Sequence, residues 1–191
     1  MRAPALIVLL GIACLTFAQD PIAATIDLRD QRNDRLEVEL IVPPMGDAPL
    51  VFALPRIVPG IYGAMDHGRL ANTMEAFDGN GRPLPIQRLD VNRWQLPAPQ
   101  GLHRITYSVD DAWEEFDIRF SIGNYRSSEG TVKPTASVLN HNTLIGYFEG
   151  REDLPYSIQL KKAPDQYVAT SLPRSGTLPE EVTFHARTYR H

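Results

Sequence analysis

Thiols are nearly absent from this chain. Its one cysteine, Cys14, lies among the first eighteen residues. Beyond Ala18 there is therefore no means of forming a disulfide, a Cys-ligated zinc site or a cysteine nucleophile. The sequence contains no His-Glu-x-x-His pair, no Gly-x-Ser-x-Gly elbow and no glycine-rich phosphate loop. After residue 18 no apolar run approaches the roughly 20 residues that a membrane-spanning helix needs, so no stable span is expected once the N-terminus is removed. Basic residues are not clustered and the formal net charge is −4, which removes the electrostatic footprint of nucleic-acid binding.

What is present begins with a leader. Arg2 supplies a positive start, and Ala5 to Phe17 form an uncharged apolar run. Thr16 and Ala18 place small residues at the −3 and −1 positions before Gln19. Residues 1–18 thus read as a cleavable signal peptide, and the chain is expected to be secreted or periplasmic. An uncleaved anchor competes with this reading, but the run is short for a span. A lipid on Cys14 also competes, but Leu10 stands one place too far from the cysteine and apolar sequence continues past it.

Along the rest of the chain the apolar period is two. Ala24–Leu28, Leu36–Val42, Ile105–Val109 and Ile118–Ile122 alternate apolar with polar residues, as half-buried strands do. Tyr156–Leu160, Tyr167–Thr170 and Val182–Ala186 are further candidates. Turn signals separate them at Asn33-Asp34, Asp78-Gly79-Asn80-Gly81, Gln100-Gly101 and Ala163-Pro164-Asp165. Sixteen prolines leave little room for long helices. The pattern predicts an all-β fold, an antiparallel β-sandwich. Asp78 to Gly81 would join strands at Met74–Phe77 and Pro85–Leu89 as a hairpin, and Trp94 would point into the core. Asn124 to Thr143 reads as a long loop or a short helix.

Three blocks carry a family likeness. The first is Leu54 to Tyr62 with its Pro59-Gly60-Ile61-Tyr62 turn, followed by Asp66-His67-Gly68-Arg69. The second runs from Met74 through Gly81-Arg82-Pro83-Leu84-Pro85 to Trp94. The third joins Ser137 to Asn142, Gly146-Tyr147-Phe148-Glu149-Gly150, Leu154-Pro155-Tyr156 and Ala169 to Pro173. Together they resemble the N-terminal domain of the M61 glycyl aminopeptidases. That resemblance implies a sandwich over residues 22–173 that packs beside a thermolysin-like zinc domain and helps to shape its substrate cleft. It implies zinc on an H-E-x-x-H helix of that later domain, so no cofactor is expected in this chain.

Residues 174–191 resemble the segment that leads toward the catalytic domain and are expected to be a tail outside the core. The expected partners are the missing catalytic domain or a peptide-like ligand. Tyr62, Asp66 and Arg69 are the candidate interdomain contacts, and Asp66 and Arg69 are close enough in sequence to pair. Exposed apolar side chains at Ile61, Tyr62, Met65, Phe184 and Tyr189 would favour self-association. The chain on this reading is a fragment or truncated form, non-catalytic by itself. The rival reading is a stand-alone periplasmic or extracellular binding module built on exposed loops.

Two further clusters have structural explanations. The five histidines, His67, His103, His141, His185 and His191, show no familiar ligand spacing. The acidic run Asp110 to Asp117 lacks the ordered spacing of a calcium loop, and Trp113 and Phe116 would anchor it to the core.

Overall fold

Alternating burial sets the pleat of each long strand. In β1 (Ile22–Asp27) Ile22, Ala24 and Ile26 face inward. In β2 (Arg35–Ile41) Leu36, Val38 and Leu40 do the same, and the charged residues between them face out. The computed structural model describes residues 19–29, 35–58, 63–96, 101–111, 131–132 and 137–190. The predicted strand at Ile118–Ile122, the Asn33-Asp34 turn, the leader and most of the acidic run lie outside these residues.

Two sheets share one core. The larger has eight strands in the order β13 (Arg174–Leu178), β14 (Glu181–Ala186), β12 (Tyr156–Lys161), β1, β2, β8 (Leu102–Asp110), β4 (Ala71–Asp78) and β5 (Pro83–Leu84). The smaller has four: β11 (Tyr147–Phe148), β3 (Leu50–Ala53), β7 (Arg93–Leu96) and β6 (Gln87–Arg88). A two-stranded ribbon joins β9 (Thr131–Val132) to β10 (Ser137–Val138). A 3-10 turn, His67–Leu70, and one short helix, α1 (His141–Leu144), complete the described elements. Phe52 of the small sheet bridges the two. Its ring lies 5.8 Å from that of Tyr107 on β8, 5.4 Å from Phe148 and 6.4 Å from Trp94. Trp94 is buried, as its pattern predicted.

The all-β expectation holds, with one short helix, and five of the finer expectations need correction. The large sheet is mixed: β1 pairs with β2 antiparallel but with β12 parallel, in register from Ile22↔Tyr156 to Asp27↔Lys161. A parallel neighbour requires a long crossover, and here almost the whole domain lies between the two strands.

The hairpin at Asp78–Gly81 pairs β4 with Pro83–Leu84 alone. The chain then crosses to the small sheet, so Gln87–Arg88 pairs with β7. The turn is held by the Asp78 carboxylate, which accepts from Asn80 N, Arg82 N and Arg82 Nε at 2.8–2.9 Å. Gly81 alone of its residues takes a positive φ, +77°.

Tyr167–Thr170 is extended without strand pairing. The 87% exposed Tyr167 shows that its apolar alternation serves no second sheet.

The core does not end before Pro173. β14 pairs with β12 along six positions, and its Val182 and Phe184 are buried. The buried Lys162 ammonium donates to the carbonyls of Ala163 and Pro179, tying the end of β12 to the β13–β14 turn. Met65, expected on the surface, is 4% exposed.

Candidate functional site

The segment after β3 is a knot tied by side chains. Pro55 offers only a carbonyl, which accepts from the backbone N–H of His67 at 3.2 Å and from its Nδ1 at 2.8 Å. A carbonyl can only accept, so His67 carries its proton on Nδ1, and the ring is fully buried. The Arg56 carbonyl accepts from Met65 N at 2.8 Å and Asp66 N at 3.2 Å. Asp66 sits in the left-handed region at φ +48°, ψ +56°, where short polar side chains are tolerated. Its carboxylate accepts from Asn92 Nδ2 at 2.8 Å and lies 3.5 Å from Arg56 Nε.

Asn92 closes the knot. Its Oδ1 accepts from Gly68 N at 3.0 Å, and its own N–H donates to Asp90 at 2.8 Å. The Arg93 guanidinium, together with that N–H, holds the Asp90 carboxyl below its usual range. A side chain at 68 would collide with the Val91 carbonyl, 2.3 Å from its first carbon.

Of the three predicted contact residues, Asp66 and Arg69 therefore lie within this knot. They pair through the backbone, Arg69 N donating to Asp66 O at 2.8 Å, while the Arg69 guanidinium donates to Met65 O at 3.1 Å. Tyr62 lies outside the described residues.

The 3-10 turn of this knot packs against α1. Asn140 caps α1, its Oδ1 accepting from Asn142 N at 3.0 Å. Three tyrosines then hold three successive carbonyls. Tyr107 OH donates to Leu144 O at 2.6 Å, Tyr189 OH to Ile145 O at 2.9 Å and Tyr156 OH to Gly146 O at 3.0 Å. Gly146 N returns a bond to Tyr107 OH at 3.3 Å. Burial pushes the pKa of all three phenols upward. The Tyr189 ring also lies 4.7 Å from that of Tyr147. Sequence reasoning placed Tyr189 in an exposed tail and missed this clamp. Its only trace was the presence of single tyrosines far apart in the chain, which does not show what their hydroxyls reach.

Beside the clamp opens a cavity of about 500 Å³. Ile57 and Val58 of the knot form one wall; Ile145, Tyr147, Glu152 and Tyr189 contribute to the others. Ile57 is 56% exposed at its edge. A second cavity, about 560 Å³, lies between the large sheet and the Gln166–Thr170 segment, and His141 borders both.

The donors for a zinc site do not converge: among the described residues, no three His, Cys, Asp or Glu side chains come together. His67 Nδ1 is occupied by a carbonyl, and His185 Nε2 meets Ser175 Oγ. The described start of the acidic run is structural, with the Asp110 carboxylate accepting from Arg35 and, at 2.9 Å, from Asn72.

Residues 23–191 match the family described as the peptidase M61 N-terminal domain. Among solved structures, the chain is similar to an aminopeptidase N family protein from Idiomarina loihiensis. The match has 26% identity and a TM-score of 0.73, and covers 88% of this chain but 27% of that one. Two M1 zinc metallopeptidase structures from Deinococcus radiodurans align at 13% and 11% identity, with TM-scores of 0.40 and 0.39. They cover 87% and 88% of this chain and 37% and 39% of theirs. No curated protein matches the chain.

Proposed function

The chain belongs to the peptidase M61 family, whose N-terminal domain it carries, and on that premise we propose that it is the non-catalytic accessory domain of an exported M61-like zinc metallopeptidase. The observation that carries this reading is the disparity in coverage. Nearly all of this chain matches the Idiomarina loihiensis protein, yet it spans only 27% of that protein's length. In this reading the zinc, its ligands and the activated water belong to polypeptide beyond these 191 residues. This chain supplies a stiff scaffold whose loops stand beside the substrate cleft, and its first eighteen residues direct export.

The test is direct. Residues 19–191, purified and supplied with zinc, should neither turn over glycyl and alanyl peptides nor retain stoichiometric metal. Chelator-sensitive turnover with bound zinc would overturn the accessory role. Mass spectrometry of the exported protein should find Gln19 at the N-terminus, and a retained Met1 or a lipidated Cys14 would overturn the export half.

The two open cavities around α1 favour a second reading, a binding module that acts alone. The genomic sequence after codon 191 separates the two. A frame encoding His-Glu-x-x-His supports the first, and a stop codon in independent isolates supports the second.

A further inference from the structure

We propose that the cavity between the Pro55–Val58 wall and the tyrosine clamp is the seat of the polypeptide that follows this domain in longer members of the family, an inference that rests on the accessory reading above. Three observations converge on it.

The first is where the chain leaves the domain. Tyr189 and Arg190, the last two described residues, line this cavity, so polypeptide continuing beyond them would start from its lining. A segment tethered there meets this surface at high effective concentration, before any other face of the domain.

The second is the exposure of Ile57. Its neighbours Leu54 and Val58 are buried, and Pro55 is locked by His67, yet Ile57 presents more than half of its surface to solvent. It stands beside Val58, Ile145 and the Tyr147–Tyr189 ring pair, with charge supplied by Glu152 and Arg190. Apolar and aromatic side chains set beside charged ones in one depression are what a protein-binding surface presents.

The third is rigidity. Both walls are fixed by buried or part-buried hydrogen bonds: the knot by His67 and Asn92, the clamp by three tyrosine hydroxyls on consecutive carbonyls. A preformed seat spares the entropy of ordering its walls when a partner binds. The occupant this surface fits is a loop or strand that inserts an apolar side chain against Ile57 and Tyr147, with polar groups that meet Glu152 and Arg190.

Residues 19–191 contain no cysteine, so the shorter chain reports only the introduced thiol, and peptide mapping assigns the label in the longer polypeptide. Ile57→Cys and, as a control at the far end of the β13–β14 hairpin, Leu178→Cys would each give a single reactive thiol. Leu178 is 60% exposed, so both sites should react readily with a maleimide in the 19–191 chain. In the longer polypeptide read from the gene, labelling at 57 should slow roughly tenfold or more while labelling at 178 is unchanged, because a buried thiol reacts only when the interface opens. Unchanged melting of each variant in the 19–191 chain shows that the substitution itself is tolerated. Equal labelling at 57 in both lengths would overturn this inference and leave the accessory reading standing. A reading frame that stops at residue 191 would overturn both.

Discussion

Replacing Gly146 by alanine should be among the most damaging single-methyl additions in this protein. The new carbon would fall 2.3 Å from the Phe52 ring and 2.6 Å from the Ala53 carbonyl. Phe52 is fully buried and packs against three other rings, and the carbonyl is backbone, so neither can step aside cheaply. Overpacking of this kind costs about 1–3 kcal/mol when the core can adjust. Adjustment here means shifting the turn, which strains the Tyr156 bond to Gly146 O and the Gly146 N bond to Tyr107. Each is worth about 1 kcal/mol net, more if a buried partner is left unsatisfied. The expected loss is therefore about 3–5 kcal/mol, a large share of the 5–15 kcal/mol typical of a whole domain. Two other glycines calibrate it. Gly150→Ala has open space around it but a φ of +74°, so it should cost about 1–2 kcal/mol from backbone strain alone. Gly79→Ala has open space and an ordinary φ, and should lie within about 0.5 kcal/mol of wild type. Urea unfolding of the three variants, with unchanged m values, would measure the series. A Gly146→Ala protein as stable as the Gly150→Ala one would refute the close-packing argument.

Alkaline titration should expose the tyrosine clamp. Burial raises the pKa of Tyr107, Tyr156 and Tyr189, so the stability they confer is complete below the unfolded value of about 10 and is lost as pH rises above it. Unfolding free energy measured from pH 8 to 11.5 should be flat and then fall. Tyr107→Phe should cost about 1–3 kcal/mol at neutral pH by leaving the Gly146 N–H and Leu144 carbonyl short of a partner, and should shallow the alkaline slope. A slope that the substitution does not change would count against the clamp. Removing Glu181 to His191 should abolish cooperative melting, because it strips Val182 and Phe184 from the core and leaves β12 as a bare edge. A truncated chain that still melts cooperatively would show that this strand is dispensable.

How much of this was legible beforehand depends on how far apart in the chain the deciding groups lie. The all-β class, the strands β1, β2, β8, β12 and β14, and the inward Trp94 follow from alternation within a few residues, because a pleat places every second side chain on the same face. The likeness to the M61 N-terminal domain was equally readable, since it rests on short blocks of local sequence. Short strands were not readable. Tyr147–Phe148 holds two residues, too few to show a period, and Gln87–Arg88, inside the strand expected at Pro85–Leu89, pairs with β7 rather than β4. Tyr167–Thr170 alternates without pairing, because alternation states which side chains want burial and not whether a neighbouring strand exists.

The candidate site was still less legible. Asp66 and Arg69 were singled out in the family-like block and read as near enough to pair, but Asp66 spends its carboxylate on Asn92, 26 residues away, and on Arg56. The tyrosine clamp joins positions 107, 156 and 189 to residues 144–146. The membership of β14 in the core depends on β12 lying beside it, and that depends in turn on β1 pairing parallel to β12. Sequence alone determined which of the longer segments run as strands and which side of each faces inward. Only the tertiary fold decided which distant donors meet which acceptors, because hydrogen bonds across tens of residues leave no periodic mark in the chain.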